Sequence, residues 1–274
     1  MGTTGQSIRV GFIGVGNMGS RIVDLLLAAG FDVTLWARRA ASLKPFQGRT
    51  QSAGTPADLG ARSDVVGICV WDERDVEDVL LSENGVLGGM ESGAVVVVHS
   101  TIAPSACRRL SQETARRGVA LLDAPVSVGA NVPKLLVMVG GEGPAVARVG
   151  PVLESFGDPV VHLGPVGSGQ IAKLVNNTLL AATVGLADAA LTLGAELGLD
   201  RIALLDVLSS ASSRGTWTSL LGPQIRGSVR IASGRTHEWA SKDVALTESV
   251  AAEAGCASGA DVLRIARAGA EALW

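Results

Sequence analysis

Through the first 163 residues, short and nearly unbroken apolar runs alternate with amphipathic stretches. IRVGFI (8–13) reads as a strand, residues 18–29 as an amphipathic helix, and DVTLW (32–36) as a second strand. DVVGICV (64–70), AVVVV (94–98) and VALLD (119–123) follow, separated by helical patterns at 72–81 and 104–117. LLVMVGG (135–141) and PVVHLG (159–164) read as further strands, with a helix at 143–155 between them. A strand with one wet face alternates apolar and polar residues; these do not, so both faces must be covered. Such strands, alternating with helices, predict an α/β fold with a parallel, doubly wound sheet.

After Gly164 the strand runs stop and helical patterns dominate. From Ile171 to Leu197 one long helix is predicted, with Lys173, Asp188 and Glu196 as its only charged residues. GLD (198–200) stops it, SSASSRGTW (209–217) reads as a loop, and 241–255 as a helix with Ser241 as N-cap. The boundary falls near residue 165: an α/β domain over 1–165 and an all-α domain over 166–274. The long helix, about 40 Å at 1.5 Å per residue, would join them. It is too apolar all round for one small domain to cover, which predicts a homodimer or homotetramer built on the C-terminal helices.

Composition narrows the function classes. A net charge of −3 gives no basic surface for nucleic acid or an anionic membrane. Hydrophobic residues at 47% and charged ones at 18% suit a packed enzyme. Cys69, Cys107 and Cys256 are odd in number and lack metal or disulfide spacing, and His99, His162 and His237 are isolated, so no metal is expected. The N-terminal MGTTGQSIRV lacks a basic or apolar leader region, and Gln6 stands where a myristoylation signal wants Ser or Thr. Lys173, Asn176, Asn177 and Asp188 interrupt the long helix, so no membrane span is expected. A cytoplasmic protein is the expectation.

GVGNMG (14–19) is G-x-G-x-x-G placed between a strand and a helix, where the pattern acquires a mechanism. Gly14 makes the tight turn, Gly16 lets backbone approach a pyrophosphate, and Gly19 permits close helix–strand packing. The helix start then offers free N–H groups to the phosphates. A carboxylate at the end of the second strand would select NAD, but the sequence there is TLWARRA. Ala37 with Arg38 and Arg39 points to a 2′-phosphate, hence NADP(H).

With these motifs in hand, the chain resembles the β-hydroxyacid dehydrogenase family, the group of 3-hydroxyisobutyrate dehydrogenase and tartronate semialdehyde reductase. FIGVGNMG matches the family's cofactor loop, which brings Val15, Asn17 and Met18 to the cofactor beside the three glycines. HSTIAP (99–104) resembles the segment beside the nicotinamide and points to Thr101; Val70 and Trp71 join the expected cofactor contacts. DAPVSVG (123–129) resembles the substrate loop, which points to Ser127, Val128 and Gly129, with Asp123 shaping that loop. GSGQIAKLVNN (167–177) resembles the catalytic helix, and SKD (241–243) the late Lys-Asp pair whose lysine, here Lys242, reaches the cofactor. The resemblance implies a Rossmann-like N-terminal domain and hydride transfer between NADP(H) and a small β-hydroxyacid or semialdehyde.

Residue chemistry supports the same roles. Lys173 can donate a proton to a carbonyl oxygen as hydride arrives, or take one from the alcohol in reverse. Burial and a cationic nicotinamide would each lower a lysine pKa toward working pH. Asn177, one turn on, can hold the ammonium or the substrate, and Gly167 and Gly169 leave room for ligands. Trp217 is a candidate for the substrate pocket. Val128 departs from the family's Ser-Gly-Gly, and GANVPK (129–134) is shorter than its usual loop, which leaves the substrate's acid group open. Two alternatives stand beside this reading: an imine reductase-like enzyme, against which Lys173 argues, and a non-catalytic dinucleotide-binding scaffold.

Overall fold

The computed structural model describes residues 8–128, 133–218, 220, 222, 235–256 and 259–272. It contains two compact units, 1–173 and 174–274, whose division falls inside one continuous helix.

Six strands of the first unit form a wholly parallel sheet: β1 (Val10–Ile13), β2 (Val33–Trp36), β3 (Gln51–Ser52), β4 (Val65–Ile68), β5 (Val95–Val98) and β6 (Ala120–Asp123). Their order is β3-β2-β1-β4-β5-β6. This is the doubly wound topology, in which ligands sit beyond the carboxyl ends of the strands. A second sheet places β7 (Val126–Val128) antiparallel to β8 (Leu135–Val139), and β9 (Gly157–His162) parallel to β8. The two sheets meet where Asp123 bridges Gly140.

The valine runs are double-sided. Val95 and Val97 of β5 pack with Phe12, Val65 and helices α1 (Asn17–Ala28) and α6 (Gly143–Phe156). Val96 and Val98 pack on the opposite face with Ile13, Val66 and Ile68, under α2 (Pro56–Ala61), α3 (Glu73–Leu81), α4 (Val86–Gly89) and α5 (Pro104–Ala115). Period-two side chains with two dry faces leave no polar phase, which is why the sequence shows none.

In the second unit the elements among the described residues are all helices: the later part of α7 (Ser168–Glu196), α8 (Arg201–Ser210), α9 (Arg235–Glu253) and α10 (Ala260–Glu271). Val184, Leu191, Leu205, Trp217 and Ala240 form its core. Gly269 of α10 faces Ala181 and Gly185 of α7 so closely that a Cβ there would overlap the Ala181 carbonyl.

Three expectations need correction. Ser241 is inside α9, because no breaker separates residues 235–241 from the rest and extending a helix costs less than nucleating one. Residues 209–217 are only partly loop, since α8 runs through Ser210 and a helical turn begins at Trp217. Finally, α7 does contain a stretch long and apolar enough to cross a membrane by composition, with mean hydropathy 1.5 and 44% of that stretch buried. A core helix passes the same test.

Candidate active site

The loop between β1 and α1 explains its glycines one at a time. Gly14 has φ +97° and no room for a Cβ against the Cys69 carbonyl. A Cβ on Gly19 would collide with the Gly14 carbonyl and press on Phe12. Gly16, the exposed N-cap of α1, has nothing within 4 Å of its missing Cβ. Two glycines therefore answer to the protein, while the third faces open space beside free helix-start amides, where a pyrophosphate fits. Val15, Asn17 and Met18 complete the loop, Asn17 being exposed.

Beyond β2, Arg38 and Arg39 are exposed. The Arg38 guanidinium donates to Asp75 at 2.6 Å and lies 3.6 Å from Asp78, both on α3, and the Asp75 hydrogen bond raises its pKa. No carboxylate stands at 37–39.

The carboxyl ends of β4, β5 and β6 are tied together. The Val70 amide donates to Ser100 Oγ at 2.8 Å, with Trp71 next along the loop and 45% exposed. His99, closing β5, is buried between Phe12 and Phe156 and shares a 2.8 Å hydrogen bond with the Ala124 carbonyl. Burial drives its pKa down to about 4, so the ring is neutral. Thr101 follows, half-buried.

Asp123, at the end of β6, is fully buried. Its carboxylate accepts the Gly167 amide at 2.6 Å and the Gln170 amide at 2.8 Å. Desolvation raises its pKa, and these amides oppose the rise. Gln170, also fully buried, donates its Nε2 to the Ser100 carbonyl at 2.8 Å and accepts from the Ile102 amide at 3.2 Å. Gly167 and Gly169 thus serve a purpose other than the expected ligand clearance. Gly167 has φ +99°, and a Cβ on Gly169 would collide with the Met138 carbonyl and crowd Asp123. They let the start of α7 sit on a buried carboxylate.

Lys173 is half-buried one turn after Gln170, and Asn177 is buried a turn further along the helix. Asn177 Nδ2 donates to Asp243 of α9 at 2.6 Å, and its Oδ1 accepts from Asn176 at 3.0 Å. Lys242 Nζ lies 3.4 Å from the other oxygen of Asp243, which is buried and has no hydrogen-bond partner among the described residues. On β7, Ser127 is half-buried and Val128 is 61% exposed; Gly129 lies outside the described residues. Trp217, expected at the substrate, is instead 6% exposed in the core of the second unit, its Nε1 donating to the Ser213 carbonyl at 3.1 Å. Its apolar area outweighs its single donor, which a local turn satisfies.

The bonding roles of Asp243, Gln170 and Asp123 were not read from sequence, although all three stand in the motifs quoted. The signal was there in kind: uncharged or lone polar residues in runs otherwise destined for burial require partners. Among the described residues no His, Cys, Asp or Glu group could hold a metal.

A doubly wound sheet, an open-faced glycine loop at a helix start and a tethered lysine-bearing helix beyond the strand ends define a nicotinamide dinucleotide-dependent oxidoreductase. Residues 9–164 match the profile of the NAD-binding domain of 6-phosphogluconate dehydrogenase, and 167–272 that of the NAD-binding domain of NADP-dependent 3-hydroxyisobutyrate dehydrogenase. The chain belongs to the β-hydroxyacid dehydrogenase family. It is 36% identical over 221 residues to a probable 3-hydroxyisobutyrate dehydrogenase-like 2 of Arabidopsis thaliana, covering 78% of this chain and 73% of that one. It is 35% identical over 214 residues to an NAD-dependent L-serine dehydrogenase of Pseudomonas aeruginosa, covering 76% and 71%. The solved 3-hydroxyisobutyrate dehydrogenase of Mycobacterium tuberculosis with L-serine superposes with TM-score 0.81 at 25% identity, over 96% of this chain and 92% of that one.

Proposed function

We propose that the protein is an NADP(H)-preferring dehydrogenase of a small β-hydroxyacid, or reductase of the corresponding semialdehyde, with Lys173 as general acid and base. The observation carrying this is the placement of Lys173 one turn after a helix start bonded to the ends of β5 and β6, beside the Thr101 loop. Gly14, Gly16 and Gly19 with the first amides of α1 would hold the pyrophosphate, and Thr101, Val70 and Trp71 would border the nicotinamide end. The bound dinucleotide supplies or accepts the hydride. Lys173 then gives a proton to the carbonyl oxygen in reduction and removes it from the hydroxyl in oxidation. Asn177, its amide fixed by Asp243, orients substrate or ammonium.

The cofactor preference rests on Arg38 and Arg39 with no carboxylate at 37–39 to take a ribose 2′-hydroxyl, although a 2′-phosphate must compete with Asp75 and Asp78 for Arg38 and the L-serine relative is NAD-dependent. The acid group of the substrate is the open specificity, because Val128 puts an apolar side chain where the family pattern has glycine. Exposed Val175, Leu179, Leu186 and Leu193 along α7 support self-association. They line up at helical spacing as one apolar stripe that water would otherwise cover.

A screen with NADP+ and 3-hydroxyisobutyrate or L-serine, and with NADPH and succinate semialdehyde, butyraldehyde or a cyclic imine, tests the substrate class. Acidic substrates should turn over fastest; preference for the imine refutes the reading. Lys173→Ala should slow single-turnover hydride transfer by about 10²–10⁴ while NADPH still binds. A rate within about threefold of the parent would remove Lys173 from the chemistry.

A further inference from the structure

We infer that Gln170 and Asp123 are the positioning residues that hold Lys173 in register with the Thr101 loop; this rests on the catalytic role proposed for Lys173.

The argument starts from what α7 lacks. A helix start exposes amides with no partner inside the helix, and α7 begins in the protein interior, where unpaired amides are costly. A side chain at the helix's own N-cap is the usual remedy, but α7 begins at Ser168 and the residue before it is Gly167, which has none. The carboxylate comes from far away in sequence: Asp123, with one oxygen on the Gly167 amide and the other on that of Gln170. A bidentate anchor fixes both the translation of the helix start and its rotation, which a single hydrogen bond would leave free.

Gln170 carries that order across to β5. Its amide group pairs with the Ser100 carbonyl and the Ile102 amide, as a neighbouring strand would, and so grips the backbone on both sides of Thr101. Ser100 in turn accepts from the Val70 amide. Lys173 lies three residues after Gln170, adjacent along the helix surface. Thr101 and Lys173 are therefore joined through one buried side chain and one turn of helix. Reacting groups displaced by about 1 Å lose on the order of a hundredfold in rate, so a buried, fully paired link of this kind is a device for rate as well as for folding.

The space around the carboxylate is fitted to it. A Cβ on Gly140 would lie 2.5 Å from Asp123 Oδ1 and 2.9 Å from the Gly169 amide nitrogen, and one on Gly169 would lie 2.9 Å from Oδ2. Neither a longer acid nor a shifted helix start has room here.

The test compares Gln170→Met, which keeps length and burial but loses both hydrogen bonds, with Asp123→Asn and Lys173→Ala. Each is measured by stopped-flow hydride transfer with the fastest of the substrates named above, by the isotope effect with 4-deuterated NADPH, and by NADPH titration. For Gln170→Met we expect a ten- to hundredfold slower single turnover at saturating ligands, a larger isotope effect on steady-state turnover, and NADPH affinity within about threefold of the parent. A purely structural Gln170 predicts a lower melting temperature but a parent-like single-turnover rate in the folded protein, and that result overturns the inference. Should Asp123→Asn fail to fold, Gln170→Met decides alone. If Lys173→Ala is slow and Gln170→Met is fast, positioning fails while the catalytic reading stands; a parent-like rate in Lys173→Ala overturns both.

Discussion

Acid should destabilise this protein through one ring. His99 is 6% exposed, stacked on Phe12 with ring centroids 5.9 Å apart and edge-on to Phe156 at 5.6 Å. Its Nδ1 pairs with the Ala124 carbonyl, while burial lowers its pKa from 6.5 to about 4. A group with a depressed histidine pKa binds its proton first in the unfolded chain. Above pH 6.5 neither state is protonated and the ring has no effect; between pH 6.5 and 4 stability falls as pH falls. The shift of about 2.5 units, at roughly 1.36 kcal/mol each, amounts to about 3 kcal/mol when complete and about 2 kcal/mol by pH 5. The assay is denaturant unfolding of the parent and of His99→Gln at pH 7, 6 and 5, with hydrogen exchange of the β5 amides as the local probe. The variant loses ring packing and starts lower at pH 7, but its decline to pH 5 should be shallower by about 2 kcal/mol. Parallel declines in the two proteins would refute the argument, because buried carboxylates contribute equally to both.

Other expectations separate ligand from scaffold. Gly16→Ala should leave the melting temperature nearly unchanged but weaken dinucleotide binding, whereas Gly19→Ala should destabilise the fold by roughly 1–3 kcal/mol because its neighbours are backbone; equal effects in calorimetry and titration would refute the distinction. Arg38→Ala with Arg39→Ala should reduce NADPH affinity about ten- to a hundredfold for each charge-assisted hydrogen bond to the 2′-phosphate that is removed, and an unchanged NADPH-to-NADH ratio would refute the assignment. Sedimentation at micromolar concentration should show a dimer or larger; a 27.9 kDa species would refute self-association through α7.

Much of the fold was legible because its strongest signal is local. The valine runs at 94–98 and 64–70 announce two-sided strands, and the glycine loop falls where a strand meets a helix. Strand ends were overextended by a residue or two because apolar residues such as Cys69 and Val70 continue past the last residue of the strand. The helices Pro56–Ala61 and Val86–Gly89 are too short to express a period. At the site, residue identity was readable and partnership was not. Gly167 and Gly169 advertise missing side chains, but the carboxylate that accepts the Gly167 amide lies 44 residues upstream of it. Gln170 carries no charge and follows no spacing rule, and its partners on either side of Thr101 are about seventy residues away. Trp217 misled because a buried aromatic and a ligand-facing one have the same sequence appearance.

The close fit of Asp123 between Gly140 and Gly169 bears on how such a chain can change over generations. Any side chain at either glycine meets the carboxylate, while a smaller residue at 123 strands two amides of α7 without an acceptor. Each single step therefore passes through a less fit intermediate, although a joint replacement need not. The three sites form one heritable unit spread over three segments of sequence. Descendants should keep all three residues or exchange them together, even as Val128 and its neighbouring surface drift freely towards new substrates.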